Sequence, residues 1–181
     1  MSDGSPPTVL LVDDESALVS LYERYLEDRY RVLTASTGAE ALSVATEAVD
    51  VALLDRRMPE LSGAEVLDGL RAADVDCRVA MLTAVEPSAD IVDMPFDDYR
   101  VKPVDQADLV GLVEVLLERA TYDDHSQRFF ALASKKAALE VADETASAEY
   151  DRLCAELAEV RRDVDASLEA VGAEAAFSDL A

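Results

Sequence analysis

The chain has 181 residues, half of them hydrophobic, with 39 Asp and Glu against 16 Lys and Arg and a net charge of −23. That length holds one standard domain plus an appendage, or two small domains, and the apolar share is enough for a real core. The acid excess argues against passive contact with nucleic acid or anionic lipid, since both are polyanions.

Only three of the basic residues are Lys (Lys102, Lys135 and Lys136). Carboxylates in such excess suit a salt-rich cytoplasm, where a Debye length of roughly 3 Å at molar salt screens their repulsion. Cys77 and Cys154 stand far apart in no Cys-x-x-Cys spacing, so two buried or semi-buried thiols are expected rather than a disulfide framework or a zinc site. No apolar run approaches the roughly 18 residues needed to cross a bilayer. Residues 1–7 form a short Ser/Gly/Pro lead-in rather than a targeting segment, and the expected location is cytoplasmic, with no membrane partner.

Residues 8–120 alternate strand and helix patterns. Strands are expected at 8–12, 31–34, 51–54, 78–82 and 98–101, each short and rich in Val or Leu. Between them, helical spacing runs over Ser16–Asp28 (Leu18, Leu21, Tyr22, Tyr25), Gly38–Ala48 (Ala41, Leu42, Ala45) and Ser62–Ala73 (Val66, Leu67, Leu70). It recurs over Asp105–Arg119 (Leu109, Leu112, Val113, Leu116), with Ser16 and Asp105 as N-caps. A short helix from Ser88, stopped by Pro95, is the least marked element. Strands alternating with helices imply an α/β fold, a five-stranded parallel sheet wound on both faces through right-handed crossovers.

From 121 onward strand patterns cease and Gly172 is the one glycine. Tyr122–Val141 suits a helix, and a longer one follows from about Thr145. In it Tyr150, Leu153, Leu157, Val160, Val164 and Val171 step by 3 or 4, with Ser167 as the lapse. The joint near Asp143–Thr145 has neither Gly nor Pro, which leaves a hairpin and one continuous helix both open. Residues 173–181 are expected to fray.

The chemistry concentrates at strand ends. Asp13 and Asp14 close the first strand, Asp55 the third, Thr83 the fourth, and Lys102 follows the fifth. In an open α/β sheet these carboxyl ends share one ligand-binding edge. Asp13, Asp14 and Asp55 suit Mg²⁺, which prefers hard oxygen ligands, and a backbone carbonyl just beyond Asp55 would add to the set. Asp55 is the best nucleophile, because a carboxylate forms a covalent phosphoaspartate when a metal offsets the charge. Lys102 and Thr83 can contact phosphoryl oxygens, by charge and by hydroxyl donation. The bland alternative, that acids end strands and cap helices, suits any one residue better than the set.

Four pieces in order carry a resemblance: Val-Leu-Leu-Val-Asp-Asp-Glu (9–15), Leu-Leu-Asp-Arg-Arg-Met-Pro-Glu-Leu-Ser-Gly (53–63), Met-Leu-Thr-Ala (81–84) and Asp-Tyr-Arg-Val-Lys-Pro (98–103). Residues 8–120 resemble a two-component response-regulator receiver domain of flavodoxin-like architecture. The resemblance implies Asp55 as phosphoacceptor from a sensor histidine kinase, with Asp13, Asp14 and the Arg57 carbonyl serving Mg²⁺. It implies that Thr83 and Lys102 read the phosphoryl group. Tyr99 becomes the aromatic switch, entering space that Thr83 vacates. The only catalysis implied is the domain's own phosphotransfer and slow dephosphorylation.

Residues 121–181 resemble the HalX domain, a helical module attached to receivers in haloarchaea, through Tyr122-Asp-Asp-His-Ser-Gln-Arg-Phe-Phe-Ala-Leu-Ala-Ser-Lys-Lys-Ala-Ala-Leu. This family is described as transcriptional, so the expected output is transcription control through DNA or the transcription machinery. Yet residues 121–181 set six Lys and Arg against fourteen Asp and Glu, which tells against a direct DNA reader. His125 reads as a surface residue rather than a phosphorelay donor. The alternative is a phosphorylation-dependent adaptor whose helices, or receiver, form a homodimer. A Mg²⁺ phosphohydrolase ranks last, for want of an Asp-x-Asp nucleophile loop and a cap.

Overall fold

The structure is a computed structural model that describes residues 5–120 and 124–178, with side chains over 5–120 and 125–165. Strands β1 (Thr8–Val12), β2 (Arg31–Ala35), β3 (Val51–Leu54), β4 (Arg78–Thr83) and β5 (Asp98–Val101) form one parallel sheet in the order β2-β1-β3-β4-β5. The order reverses between β1 and β3, so a crevice opens at their carboxyl ends.

Period-2 alternation sorts the strands onto two faces. Leu10, Val12, Ala52, Leu54, Val79 and Met81 face α2 (Gly38–Val44) and α3 (Gly63–Ala72). Val9, Leu11, Val51, Leu53, Ala80 and Leu82 face α1 (Ser16–Leu26) and α4 (Gln106–Arg119). Caps begin the helices where the sequence allows. Thr37 Oγ1 accepts from Glu40 N at 3.1 Å, Ser62 and Glu65 form a reciprocal capping box, and Asp105 accepts from Asp108 N at 2.9 Å.

Some boundaries depart from expectation. Ser16 is not an N-cap: it is the first helical residue of α1, and Glu15 precedes it without a side-chain capping bond. The Asp13 carboxylate takes the Glu15 amide at 2.9 Å instead, which draws the loop toward the crevice. Helix α2 ends at Val44 rather than Ala48, because Thr46 turns the chain, its hydroxyl accepting from Ala48 N at 3.3 Å. Helix α1 stops at Leu26, whose carbonyl accepts from Arg29 and Tyr30 and so turns the chain back into β2.

The crossover from β4 to β5 is short. Where the other crossovers carry α-helices, this one has a 3₁₀ segment, Ala89–Asp93, entered from Ser88. The gap over that flank is filled by α5 (Asp124–Val141) and α6 (Ala148–Ser178), which pack as a hairpin on the 3₁₀ segment and β5. Leu132, Leu139, Leu153 and Val160 join the same apolar cluster as Ile91, Val92, Phe96 and Met81. Tyr150, Leu157 and Val164 of the expected stripe pack against it, while Ser167 and Val171 lie outside the described side chains. The start at Tyr122 likewise lies outside the described residues. Helix α6 is described to Ser178, and residues 179–181 of the stretch expected to fray lie outside the described residues.

A hairpin forms without Gly or Pro because Asp143 adopts the left-handed conformation (φ 58°) that ends α5. Glu144 N then reaches back to Leu139 O at 2.9 Å, and Ser147 Oγ caps α6 by accepting from Tyr150 N at 3.1 Å. Lys135 is a notable member of this interface, only 6% exposed. Its ammonium donates to Val92 O at 3.2 Å and lies 5.1 Å from the Phe96 ring centroid.

Leu139 is fully buried between the hairpin and the sheet, so Leu139→Ala should cost about 2–5 kcal/mol, as for other large-to-small core changes. The loss should appear in one cooperative denaturant transition; a separate early transition for the hairpin would contradict the shared core. Burial holds the Lys135 pKa below its usual range, against the partial support of Glu156, Asp97 and Asp93. Between that lowered value and about 10.4 the unfolded chain carries more protons, so stability should rise with pH. Lys135→Met should flatten that alkaline rise in a pH series of denaturant unfolding, whereas an unchanged slope would rule the linkage out.

Candidate functional site

The crevice at the switch point holds the residues expected there. Asp13, at the end of β1, and Asp55, just past β3, are buried, whereas Asp14 is exposed. One carboxylate oxygen from each lies within 4.8 Å of the others. Lys102, beyond β5, reaches across β4 and β3 to them: its Nζ donates to Asp13 Oδ2 at 2.5 Å and to Asp55 Oδ2 at 3.2 Å. Burial alone would lower the Lys102 pKa, but the hydrogen bond and charge of Asp13, then those of Asp55, more than reverse it and hold the ammonium above its usual range. The Lys102–Pro103 peptide is cis.

Local structure sets the aim of Asp55. Its Oδ1 accepts from Arg57 N at 3.2 Å, a short turn that leaves the carboxylate at the mouth of the sheet. Gly63 makes that turn feasible, since its amide donates to Arg56 O at 3.1 Å. A Cβ on residue 63 would lie 2.3 Å from Asp55 O, against backbone that cannot yield. A side chain there would push the end of β3 out of line.

An open pocket of about 420 Å³ faces the carboxylates, lined by Asp14, Glu15, Asp55, Arg57, Thr83, Ala84 and Val85. Thr83 is fully buried at the end of β4, and its Oγ1 accepts from Val85 N at 3.3 Å. Three hard carboxylates around one point, a pocket beside them and a chain turn at Arg57 fit an octahedral Mg²⁺ that keeps some of its waters. Lys102 is a cation that bridges Asp13 and Asp55.

Tyr99, the expected aromatic switch, is buried, only 4% exposed. Its hydroxyl donates to Val85 O at 2.8 Å, and its ring stands 5.8 Å from that of Phe96. The inward position therefore does not require Thr83 to leave first: Val85 accepts from Tyr99 on its carbonyl and donates to Thr83 from its amide, in two successive peptide groups. Burial raises the Tyr99 pKa, partly offset by the neighbouring Arg56 guanidinium.

The structure thus brings Asp13, Asp14, Asp55, Thr83 and Lys102 to one mouth and sets Arg57 on its wall, with Tyr99 one strand away. Sequence reasoning passed over Arg56, Asp90 and the Val85 carbonyl. An Arg beside an acid reads as a solvated pair, and a backbone carbonyl leaves no mark in a sequence. His125, expected at the surface, is exposed. Cys77 is buried and Cys154 half-buried, both free thiols as expected. Among the described residues, no helix is long and apolar enough to cross a membrane.

Residues 9–114 match the family described as "Response regulator receiver domain", and residues 118–181 match the "HalX domain". A relative from Haloferax volcanii named "Putative transcriptional regulator" is 44% identical over 167 residues, 92% of this chain but 27% of that protein. "Transcriptional regulatory protein PrrA" of Mycobacterium leprae is 44% identical over 120 residues, 64% of this chain and 52% of its own. The chain therefore spans about a quarter of the first relative and about half of the second. Among solved structures, the response regulator protein TrrA of Thermotoga maritima, in complex with Mg²⁺-BeF, is 33% identical. It superposes with a TM-score of 0.53 over 61% of this chain and 98% of that one. A response regulator receiver domain from Clostridium thermocellum is 30% identical, with a TM-score of 0.57 over 62% and 95%. The chain belongs to the response-regulator receiver family, with a HalX domain following the receiver.

Proposed function

We propose that this chain is the switch of a two-component phosphorelay, phosphorylated on Asp55 by a sensor histidine kinase. The observation that carries the reading is the Lys102 ammonium shared between Asp13 and Asp55, beside a pocket with room for a phosphoryl group. An Asp55 oxygen attacks the phosphorus of a phosphohistidine, the P–N bond breaks, and the imidazole nitrogen keeps the electron pair. Lys102 and the Thr83 hydroxyl then contact the phosphoryl oxygens, one by charge and one by donation. Water later attacks the phosphorus, returning the Asp55 carboxylate and inorganic phosphate, and no other enzymatic turnover is assigned. Asp13, Asp14, Asp55 and the Arg57 carbonyl would hold Mg²⁺. When bound, such an ion offsets the charge that gathers as the phosphoryl group arrives.

Phosphorylation adds roughly −1.5 to −2 charge and three acceptor oxygens beside Thr83. A Thr83 hydroxyl turned toward them releases Val85 N, and Val85 also anchors Tyr99. Tyr99 shares a groove of about 270 Å³ with Ala137 and Ala138 of α5, so a change at Val85 reaches the hairpin within two contacts. The output is transcriptional control, a reading supported by the names of the relatives.

A second reading, an adaptor or dimerisation switch with no direct DNA contact, is favoured by the state of the hairpin's cations. Lys135 is buried, Arg128 pairs with Glu156 at 2.5 Å, Arg152 with Asp93 at 2.9 Å, and Lys136 with Glu140. DNA retention in molar salt, with and without phosphorylation, separates the two readings.

Intact mass after incubation with Mg²⁺ and a small phosphodonor in high salt should rise by one phosphoryl group, and Asp55→Asn should abolish the gain. Equal labelling of that variant, or none of the wild type, would remove Asp55 from its role. Added Mg²⁺ should stabilise the wild type by about 2.7 kcal/mol once its concentration is a hundredfold above Kd. Asp14→Asn should lose most of that gain in thermal melts while melting near the wild type without Mg²⁺, because Asp14 is exposed. A wild-type Mg²⁺ response in the variant would exclude Asp14 as a ligand.

A further inference from the structure

Arg56 is the middle residue of the turn that Asp55 Oδ1 closes by accepting from Arg57 N. Its carbonyl is fixed at the same place, taking the Gly63 amide at 3.1 Å. The side chain does not run to solvent: only 13% of it is exposed. Its Nη2 pairs with the Asp90 carboxylate in the first turn of the 3₁₀ segment, 34 positions along the chain, and the other Asp90 oxygen takes the Ser88 hydroxyl. Nη1 is buried without a hydrogen-bond acceptor, so the hold on this guanidinium rests on Asp90. A charge taken out of water depends on its partner, and losing that partner leaves it uncompensated.

The same five residues, Ala89–Asp93, are held from the other side by the hairpin. Ile91 and Val92 lie in the apolar cluster that contains Leu132 and Leu139 of α5 and Leu153 and Val160 of α6. The Lys135 ammonium donates to Val92 O at 3.2 Å, and Arg152 pairs with Asp93 at 2.9 Å. A 3₁₀ turn has poorer internal hydrogen bonds than an α-helix, so such outside ties govern where it sits. One of them comes from the residue beside the nucleophile, and the others come from the hairpin. Loading Asp55 draws its carboxylate into new contacts, and the turn that this carboxylate closes must adjust. Arg56, at the centre of that turn, carries the adjustment to Asp90.

We infer that Arg56 is a positioning residue which, with Asp90, ties the turn after the nucleophile to the 3₁₀ segment and so sets how firmly that segment holds the C-terminal hairpin. The tie stands on the resting geometry; its use in signalling rests on the phosphoacceptor reading of Asp55. The Arg56 side chain is bound away from the carboxylate cluster, so labelling of Asp55 should survive its replacement.

The test is amide hydrogen exchange of the full chain, read by mass over Ala89–Asp93, α5 and α6, before and after Mg²⁺ with beryllium fluoride, a phosphoryl mimic. In the wild type the mimic should change exchange in both hairpin helices. Without it, R56Q and D90N should each speed exchange over Ala89–Asp93 and α6 by roughly fivefold, and the double variant should go no further, because one pair is lost in all three. R56Q and D90N should still gain one phosphoryl mass on Asp55, yet their hairpins should no longer respond to the mimic. R152Q removes an exposed ion pair from the same segment and should leave the response intact, which separates this tie from a general loosening. If R56Q or D90N alone fails to fold, the double variant, which leaves neither charge unpaired, carries the same comparison. A hairpin response of wild-type size in R56Q, or effects of R56Q and D90N that simply add, would overturn the inference. So would a wild type that gains the phosphoryl mass while its hairpin exchange stays unchanged with the mimic. A wild type that gains no mass on Asp55 removes the phosphoacceptor reading instead, and the exchange of the unmodified variants still decides the tie.

Discussion

Three carboxylates gathered at the tips of β1 and β3 would repel one another, and the structure offsets this with one buried ammonium. Lys102 holds Asp13 and Asp55 from the far side of the sheet, and it can do so only if β5 lies two strands from β3 in the observed register. Coulomb attraction in a partly desolvated site is strong enough to keep the ammonium charged against the cost of burial. The proposed phosphoryl transfer would draw on the same charge that stabilises the site. Stability and chemistry thus draw on one arrangement, and neither could be altered without the other.

The flank beyond β4 carries the second constraint. A crossover reduced to the 3₁₀ segment leaves Ile91, Val92, Phe96 and the edge strand β5 with too little of their own chain to cover them. The α5–α6 hairpin supplies the missing layer. Its polar ties run along the same seam: Arg152 to Asp93, Arg78 to Gln127 at 2.7 Å, and Arg119 to both Asp98 and the Phe130 ring. Exposed pairs such as Arg152–Asp93 add little stability, and the shared apolar core supplies most of it. The hairpin and the receiver sheet therefore share one packed body, with α5 on β5 and both hairpin helices on the 3₁₀ segment.

Much of the fold was legible because each of its signals is local. Short Val- and Leu-rich runs set strands, 3.6-residue spacing set helices, and Asp105 announced its cap. Ser16 misled because a hydroxyl before an apolar run resembles a cap, whereas the carboxylate of Asp13 already held the loop amide that such a cap would order. Thr46 shortened α2 to end at Val44 through side-chain competition for the backbone, an effect that helical periodicity does not register. The hairpin joint was undecided because a left-handed Asp143 is less common than a left-handed Gly and leaves no compositional trace.

By itself the sequence determined the strand and helix order, the carboxylates, hydroxyl and ammonium at successive strand ends, and the polar character of the C-terminal helices. Those are properties of residue type and short-range spacing. Only the tertiary structure decided that Lys102 bridges Asp13 and Asp55, that Tyr99 already lies inside on the Val85 carbonyl, and that Arg56 turns inward to Asp90. It alone merged the C-terminal helices with the sheet core. Each of these joins residues from 14 to 89 positions apart, and such contacts follow from strand register and the order of crossovers, which no local pattern encodes.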